Sequence, residues 1–322
     1  LLWGGVTTGG FRIEWFVWAQ TAAYFTVMCA AFIIVVRKGR VAAVKPDTSV
    51  LKSIIMTGPP YSVVVFAMTL YWRMDSVMIE RLLPDGATRA GNYAQAFRLF
   101  DALAMIPVLF GGMLLPIMTR GLSSDSDIRP LARMAGRMLI VPLGIGAVTL
   151  ATFPAEMLDI LYTSPVENAV TAFRILMITL VPVGVIYIYS TMLTASWKLK
   201  MLGVITVSGM IINLSLNRIL IPELGPSGAA CTALVTQSLV AVACMLTVRR
   251  TMSGIAGNGR ILLFLLMLGL TFLAGWLLSR TGIPWTAAAA LQLAAGILLA
   301  LLFRFIEPLS SLKLITGRFG TA

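Results

Sequence analysis

Apolar residues dominate nine stretches of the chain, and short polar segments separate each stretch from the next. Each stretch has roughly 20 residues, the length that an α-helix needs to cross the ~30 Å hydrocarbon core of a bilayer. We predict transmembrane helices near residues 15–36, 54–80, 90–118, 132–154, 169–192, 200–221, 227–248, 260–279 and 283–304. The pattern predicts an all-α polytopic membrane protein with about nine transmembrane helices.

The composition agrees with a membrane protein. Hydrophobic residues make up 58% of the chain and charged residues 12%, whereas a soluble domain carries about 25% charged residues. The net charge of +12 could indicate nucleic-acid binding, but that function needs basic residues gathered on one face or arm. Here they lie between the apolar stretches. The lipid bilayer is therefore the expected partner, and no nucleic acid is expected.

The basic residues also predict an orientation. Most of them lie in alternate connections, near residues 37–52, 120–137, 198–200 and 249–260 and in the tail after 304. Because cytoplasmic loops carry an excess of Lys and Arg, we expect the chain to begin outside and to end in the cytoplasm. An odd number of helices that begins outside predicts that the chain is the C-terminal part of a longer protein.

Among the charged residues inside the predicted helices, the most informative are Arg73, Asp75, Arg98 and Asp101. A charge near the bilayer centre costs at least about 2.5–3.5 kcal/mol, so these side chains should face the bundle interior or a water-filled cavity. Arg98 and Asp101 are three residues apart, a spacing that allows them to pair. Either the charges only neutralise each other, or the two arginines bind phosphate while the aspartates hold them or bind a coupling cation.

A second polar cluster consists of Asn213, Asn217 and Arg218, on a helix predicted to end at Pro222. The two asparagines are four residues apart and share a helix face. An interhelical hydrogen-bond pair is the favoured interpretation. The candidate substrate-binding residues are Arg73, Arg98, Tyr93, Asn213 and Arg218, and the candidates for ion coupling or charge pairing are Asp75 and Asp101.

Several kinds of catalytic and cofactor site are missing from the sequence. Histidine is absent, and the three cysteines lie in apolar stretches without metal-ligand spacing. Neither a phosphate-binding Gly-rich loop nor a nucleophile elbow occurs. The only external carboxylates that lie near one another are the thinly spaced Glu156, Asp159 and Glu167. We therefore expect no catalytic residue, no metal and no cofactor, and an enzyme is the weaker class.

Two segments form a recognisable pattern. The first runs from Asp75 through Gly91-Asn92-Tyr93-Ala94-Gln95-Ala96 to Pro107 and Pro116, and the second runs from Asn213 through Pro222 to Gly225 and the Gly228-Ala229-Ala230 step. Together they resemble the polysaccharide flippases of the multidrug/oligosaccharidyl-lipid/polysaccharide exporter superfamily. The resemblance covers roughly residues 50–250.

This resemblance implies a transporter of two six-helix lobes that works by alternating access. Residues 1–50 would hold the last helix of the first lobe and a cytoplasmic loop, residues 51–250 the second lobe, and residues 251–322 two extra helices and a tail. The implied substrate is an oligosaccharide linked to undecaprenyl pyrophosphate, carried across the bacterial inner membrane for polysaccharide or lipopolysaccharide synthesis, with other polysaccharide assembly proteins as partners. The alternatives are a cation-coupled multidrug exporter and a membrane-embedded glycan polymerase.

Overall fold

The computed structural model describes residues 13–39, 48–124, 127–162, 167–251 and 259–305, and within these ranges all regular secondary structure is helical. The helices are α1 (Ile13–Gly39), α2 (Thr48–Thr57), α3 (Pro59–Leu82), α4 (Gly86–Ser123), α5 (Arg129–Thr152), α6 (Pro154–Leu161), α7 (Glu167–Ala195), α8 (Leu199–Leu224), α9 (Pro226–Thr251), α10 (Gly259–Leu278) and α11 (Trp285–Leu302).

Nine helices in the described ranges are long and apolar enough to cross a membrane. They coincide with the nine predicted stretches, so the predicted all-α polytopic architecture is confirmed and the protein is a multi-pass membrane protein. The apolar runs predict these helices well because the bilayer sets a minimum helix length that the sequence must match.

The second predicted helix differs in the structure. We predicted one helix over 54–80 with Pro59 and Pro60 inside it, but α2 ends at Thr57 and α3 begins at Pro59. Proline is favoured in the first helical turn, where its missing N–H group would have no partner in any case. The two prolines therefore start α3 and do not kink it, whereas Pro107 and Pro116 do lie inside α4.

The chain divides into two compact units, Leu1–Thr57 and Gly58–Ala322. The described part of the first unit consists of α1 and α2. In α1 the hydroxyl groups of Thr21 and Thr26 donate to the carbonyl oxygens of Val17 and Ala22, so these polar side chains are satisfied within their own helix. The three-part division at residues 50 and 250 stays a prediction.

In the second unit, α7 is the central helix and packs against α4, α5 and α9, while α8 packs against α3 and α9. The largest core includes Tyr93, Phe100, Phe173, Leu176 and Met177, all fully or almost fully buried. The last two helices, α10 and α11, pack against each other and against α5. This arrangement brings α3, α4 and α8, which carry the candidate residues, around one common core.

The connection between α8 and α9 depends on glycine. Gly225 ends α8 with a φ of +61°, a conformation that glycine adopts without steric cost. A Cβ atom at Gly228 would collide with the backbone carbonyl of Leu220, which cannot move aside as a flexible side chain could. The Gly-Pro-Ser-Gly step therefore holds the ends of α8 and α9 close together.

Gly228→Ala is expected to destabilise the protein, because the added methyl group forces these two helices apart. Overpacking of this kind typically costs about 1–3 kcal/mol, so the variant should melt at a lower temperature in detergent. Gly269→Ala is the matched control, since a Cβ atom there meets no atom within 4 Å. Equal melting temperatures for the two variants would contradict the role given to Gly228.

Candidate functional site

The carboxyl group of Asp75 is the centre of a buried polar cluster that joins three helices. The hydroxyl group of Tyr93 on α4 donates to Asp75 Oδ2 at 3.0 Å, and the amide of Asn217 on α8 donates to Asp75 Oδ1 at 2.7 Å. The Asn217 amide also donates to Asn213 Oδ1 at 3.2 Å. We call Asp75, Tyr93, Asn213 and Asn217 the Asp75 cluster, and each of its side chains is almost fully buried.

Helical spacing explains why these side chains meet. Tyr71, Asp75 and Ile79 are four residues apart along α3, so they share one face, and all three are buried. Asn213 and Asn217 likewise share the inner face of α8. Since α3 packs against both α4 and α8, the carboxyl group lies where it can accept from a residue of each helix.

The Asp75 cluster contains no basic residue. The ion pairs among the described residues are Arg73–Asp101 and Arg129–Asp127, and neither involves Asp75. A buried ionised carboxylate without a cationic partner is costly unless hydrogen bonds satisfy it. Tyr93 and Asn217 donate to the carboxyl group, and the side chain of Asn213 also interacts with it. Uncharged side chains of the cluster therefore supply these contacts.

Other buried oxygen atoms occur on α8 and on the neighbouring helix α9. Asn217 Oδ1 and the Thr232 and Thr236 hydroxyl oxygens are buried and form no hydrogen bond with the described part of the chain. Asn217 and Thr232 lie at similar distances from the turn at Gly225, roughly 12 and 10 Å along antiparallel helices. Buried polar groups normally have partners, so these oxygens are among the exceptions in the described part of the chain.

Arg73 and Asp101 form a second site, on the other side of α3 from Asp75. Arg73 Nη2 lies 3.4 Å from Asp101 Oδ2, and the two side chains are 65% and 26% exposed. Both residues line a cavity of about 310 Å³ between α3, α4 and α7, which we call the Arg73 cavity. Arg73 and Asp75 point to different sides of α3 because two residues turn a helix by about 200°.

Aromatic side chains separate the Arg73 cavity from the Asp75 cluster. Trp72, which lines the cavity, stacks on Phe100 with ring centroids 5.5 Å apart and meets Phe97 edge-on at 6.3 Å. Phe97 in turn lies 5.6 Å from the ring of Tyr93. This row of rings gives α3 and α4 a continuous apolar contact between two polar sites.

The structure brings together five of the seven candidate residues, in two sites. Asp75, Tyr93 and Asn213 meet in the cluster, and Arg73 and Asp101 meet at the cavity. Asp101 pairs with Arg73 and not with Arg98, which is exposed and forms no ion pair within the described residues. Arg218 is also exposed and belongs to neither site, so any substrate-binding role of Arg98 and Arg218 stays a prediction.

The sequence did not reveal that Asn217 contacts Asp75. Its spacing from Asn213 was the available signal, and it indicated a shared face but not the partner on α3. Trp72 and Tyr187, which line the Arg73 cavity, were also missed, because aromatic residues in apolar helices give no sign of what they face. No group of three or more His, Cys, Asp or Glu residues that could hold a metal occurs in the described ranges.

A comparison with protein families finds one match in the first part of the chain. Residues 2–122 match the family model described as "Polysaccharide biosynthesis protein". The match supports the resemblance drawn from the motifs. It includes Arg73, Asp75, Tyr93, Arg98 and Asp101, while the Asn213 segment lies outside it. None of the curated proteins matches the chain.

The chain is also similar to two solved transporter structures. One is a MOP superfamily transporter from Pyrococcus furiosus with a binding pocket of reverse polarity. The identity is 20% and the TM-score 0.49, over 70% of this chain and 53% of that one. The other is the outward-facing conformation of a multidrug resistance MATE family transporter of the MOP superfamily, with 18% identity and a TM-score of 0.49, over 76% of this chain and 62% of that one. The chain thus spans less than two thirds of the length of either structure.

Proposed function

We propose that the protein is an exporter that moves an oligosaccharide linked to undecaprenyl pyrophosphate from the inner to the outer leaflet of the bacterial inner membrane. The match to polysaccharide biosynthesis proteins and the nine candidate spans support this proposal. The observation that carries it is the position of Arg73, an exposed guanidinium group beside a cavity and midway along a membrane-spanning helix.

The depth of Arg73 makes a purely structural role costly. Within the span Ser62–Leu82, Arg73 lies roughly 16 Å from one end and about 14 Å from the other. It is too deep for its side chain to reach the interface easily, and charged residues at such depths mark substrate or ion pathways. Its 65% exposure leaves the guanidinium group accessible from the Arg73 cavity.

The chemistry of Arg73 suits a pyrophosphate group. A guanidinium group has five N–H donors, and the contact with Asp101 involves a single nitrogen, Nη2. The remaining donors can bind two oxygen atoms of one phosphate, a geometry that arginine provides and lysine does not. Asp101 then holds the guanidinium group in position, and its carboxylate offsets the charge of Arg73 before the substrate binds.

The Asp75 cluster is proposed as the coupling site. A buried carboxylate with the unpaired Oδ1 atom of Asn217 beside it offers the oxygen ligands that a hard cation such as Na⁺ prefers, and the carboxylate alone can accept a proton. Binding there would neutralise a buried charge shared between α3, α4 and α8. Because Trp72 and the row of aromatic rings link this cluster to the Arg73 cavity, cation binding can alter the arrangement around the substrate.

A cation-coupled multidrug exporter is the second candidate. Trp72, Tyr187, Met68 and Met105 line the Arg73 cavity, and aromatic and methionine side chains suit varied apolar cations. On this alternative, Asp101 and not Arg73 would contact the substrate. The two candidates therefore differ in which member of the same ion pair is essential.

Depletion of the protein in its host is expected to reduce surface polysaccharide and to leave lipid-linked oligosaccharide on the cytoplasmic face, because synthesis continues while transfer stops. Mass spectrometry of extracted lipids, combined with an impermeant periodate label on spheroplasts, would measure both quantities. Unchanged polysaccharide with greater sensitivity to cationic drugs would favour the multidrug exporter. Single-repeat glycan accumulating on the outer face would instead indicate the polymerase.

A further inference from the structure

A second cavity lies in the Gly58–Ala322 unit, away from both polar sites. It has a volume of about 690 Å³ and is bounded by α5, α7, α9 and α10. We call it the basic groove, because Arg133, Arg137, Arg249 and Arg260 line it, while no Asp or Glu occurs among the described residues that line it. Apart from these arginines, the polar side chains in the lining are Ser238 and Tyr189, and the rest is apolar.

The four arginines gather at one end of the groove. Arg133 and Arg137 lie in the first turns of α5, Arg249 lies in the last turn of α9, and Arg260 lies in the first turn of α10. The apolar lining continues along α5 as far as Val148, roughly 24 Å from Ala132 at 1.5 Å per residue. The groove thus has a cationic mouth at the helix ends and an apolar wall that runs into the membrane.

Arg249 gives an independent sign that the groove binds an anion. Its Nε and Nη2 atoms are buried and have no hydrogen-bond partner among the described residues. Buried donors of a charged group without an acceptor are costly, and the described residues that line the groove include no carboxylate. An anion at the mouth would accept from these two donors.

We propose that the basic groove binds an anionic glycerophospholipid of the surrounding bilayer, with its phosphate at the arginines and its acyl chains along the apolar wall. Inorganic phosphate would match the mouth but would leave the apolar wall uncovered. A zwitterionic phospholipid would cover the wall but would not balance the arginine charge. Basic pockets between transmembrane helices on the cytoplasmic side bind anionic lipid headgroups, and the positive-inside rule predicts that this end is cytoplasmic.

The test uses the purified protein in detergent and follows its melting temperature as phosphatidylglycerol is added, with phosphatidylcholine, inorganic phosphate and undecaprenyl phosphate in parallel. Of these additives, only phosphatidylglycerol is expected to raise the melting temperature strongly. This increase should become smaller as the salt concentration rises. Arg249→Gln should weaken the apparent affinity about tenfold, since it removes a charge-assisted hydrogen bond. Arg250→Gln is the matched control, because Arg250 is exposed and does not line the groove.

Several results would overturn the proposal. If phosphatidylcholine raised the melting temperature equally, the headgroup charge would play no part in binding. If inorganic phosphate raised it equally, the acyl chains would play no part. A stronger effect of undecaprenyl phosphate would make the groove part of the substrate path. If Arg249→Gln does not fold, native mass spectrometry of Arg133→Gln decides the question: undiminished retention of co-purified phosphatidylglycerol contradicts the proposal.

Discussion

Asp75→Asn is expected to reduce surface polysaccharide at least about tenfold while the variant protein still reaches the membrane. The change keeps the size of the side chain but removes its charge, and it puts an NH₂ group in place of one of the two oxygens that accept from Tyr93 and Asn217. An unpaired buried donor costs about 1–3 kcal/mol, which lowers stability without unfolding the protein. Polysaccharide is measured in cells with matched membrane levels of protein.

The control and a second measurement separate coupling from stability. Asp127→Asn makes the same chemical change at an exposed residue whose ion pair with Arg129 lies on the surface, where such pairs contribute little, so export should be unchanged. Tyr93→Phe removes one hydrogen bond but keeps the carboxyl group and should retain partial export. A normal amount of surface polysaccharide in Asp75→Asn cells would contradict the coupling role of the Asp75 cluster.

Arg73→Ala is expected to cause a similarly large loss of surface polysaccharide, because it removes the guanidinium group proposed to bind the substrate pyrophosphate. Hydrogen bonds to charged groups contribute about 1.5–3 kcal/mol each, so losing two corresponds to at least a hundredfold weaker contact. Arg73→Lys should restore only part of the function because lysine cannot form the bidentate contact. The measurement is surface polysaccharide at equal membrane protein level.

The matched control for Arg73 is Arg280→Ala, since Arg280 is also exposed but lies beyond the end of α10 and contacts Trp276. Its removal should leave polysaccharide unchanged. If Arg73→Ala cells make normal polysaccharide while Asp101→Asn cells lose drug resistance, the multidrug exporter explains the site better. Arg98→Ala then tests whether the exposed arginine on α4 acts in place of Arg73.

The sequence predicted the transmembrane helices because an apolar run of sufficient length has few alternatives in a bilayer. It did not predict the break at Gly58, since a proline inside an apolar run and a proline that begins a helix look the same in a hydropathy pattern. Only the position of Thr57 and Pro59 between two helices, seen in the structure, distinguishes the two cases.

The candidate site was predicted in part. The charged residues in the membrane were found because such residues are rare there, and the shared face of Asn213 and Asn217 followed from their spacing. The actual partners could not be predicted from the spacing. Asp101 is close enough to Arg98 along the helix to pair with it, but it pairs with Arg73 from another helix. Contacts between helices depend on how the helices pack, and a single sequence contains no direct record of that packing.

The most direct test measures transfer itself. The purified protein is reconstituted in vesicles with a fluorescent oligosaccharide on undecaprenyl pyrophosphate, and an impermeant reductant reports how much label becomes accessible across the bilayer. Transfer by the wild-type protein is expected to be well above that of protein-free vesicles, and transfer by Arg73→Ala is expected to be near that background. Equal rates with and without wild-type protein, under both a proton and a sodium gradient, would contradict the proposed function.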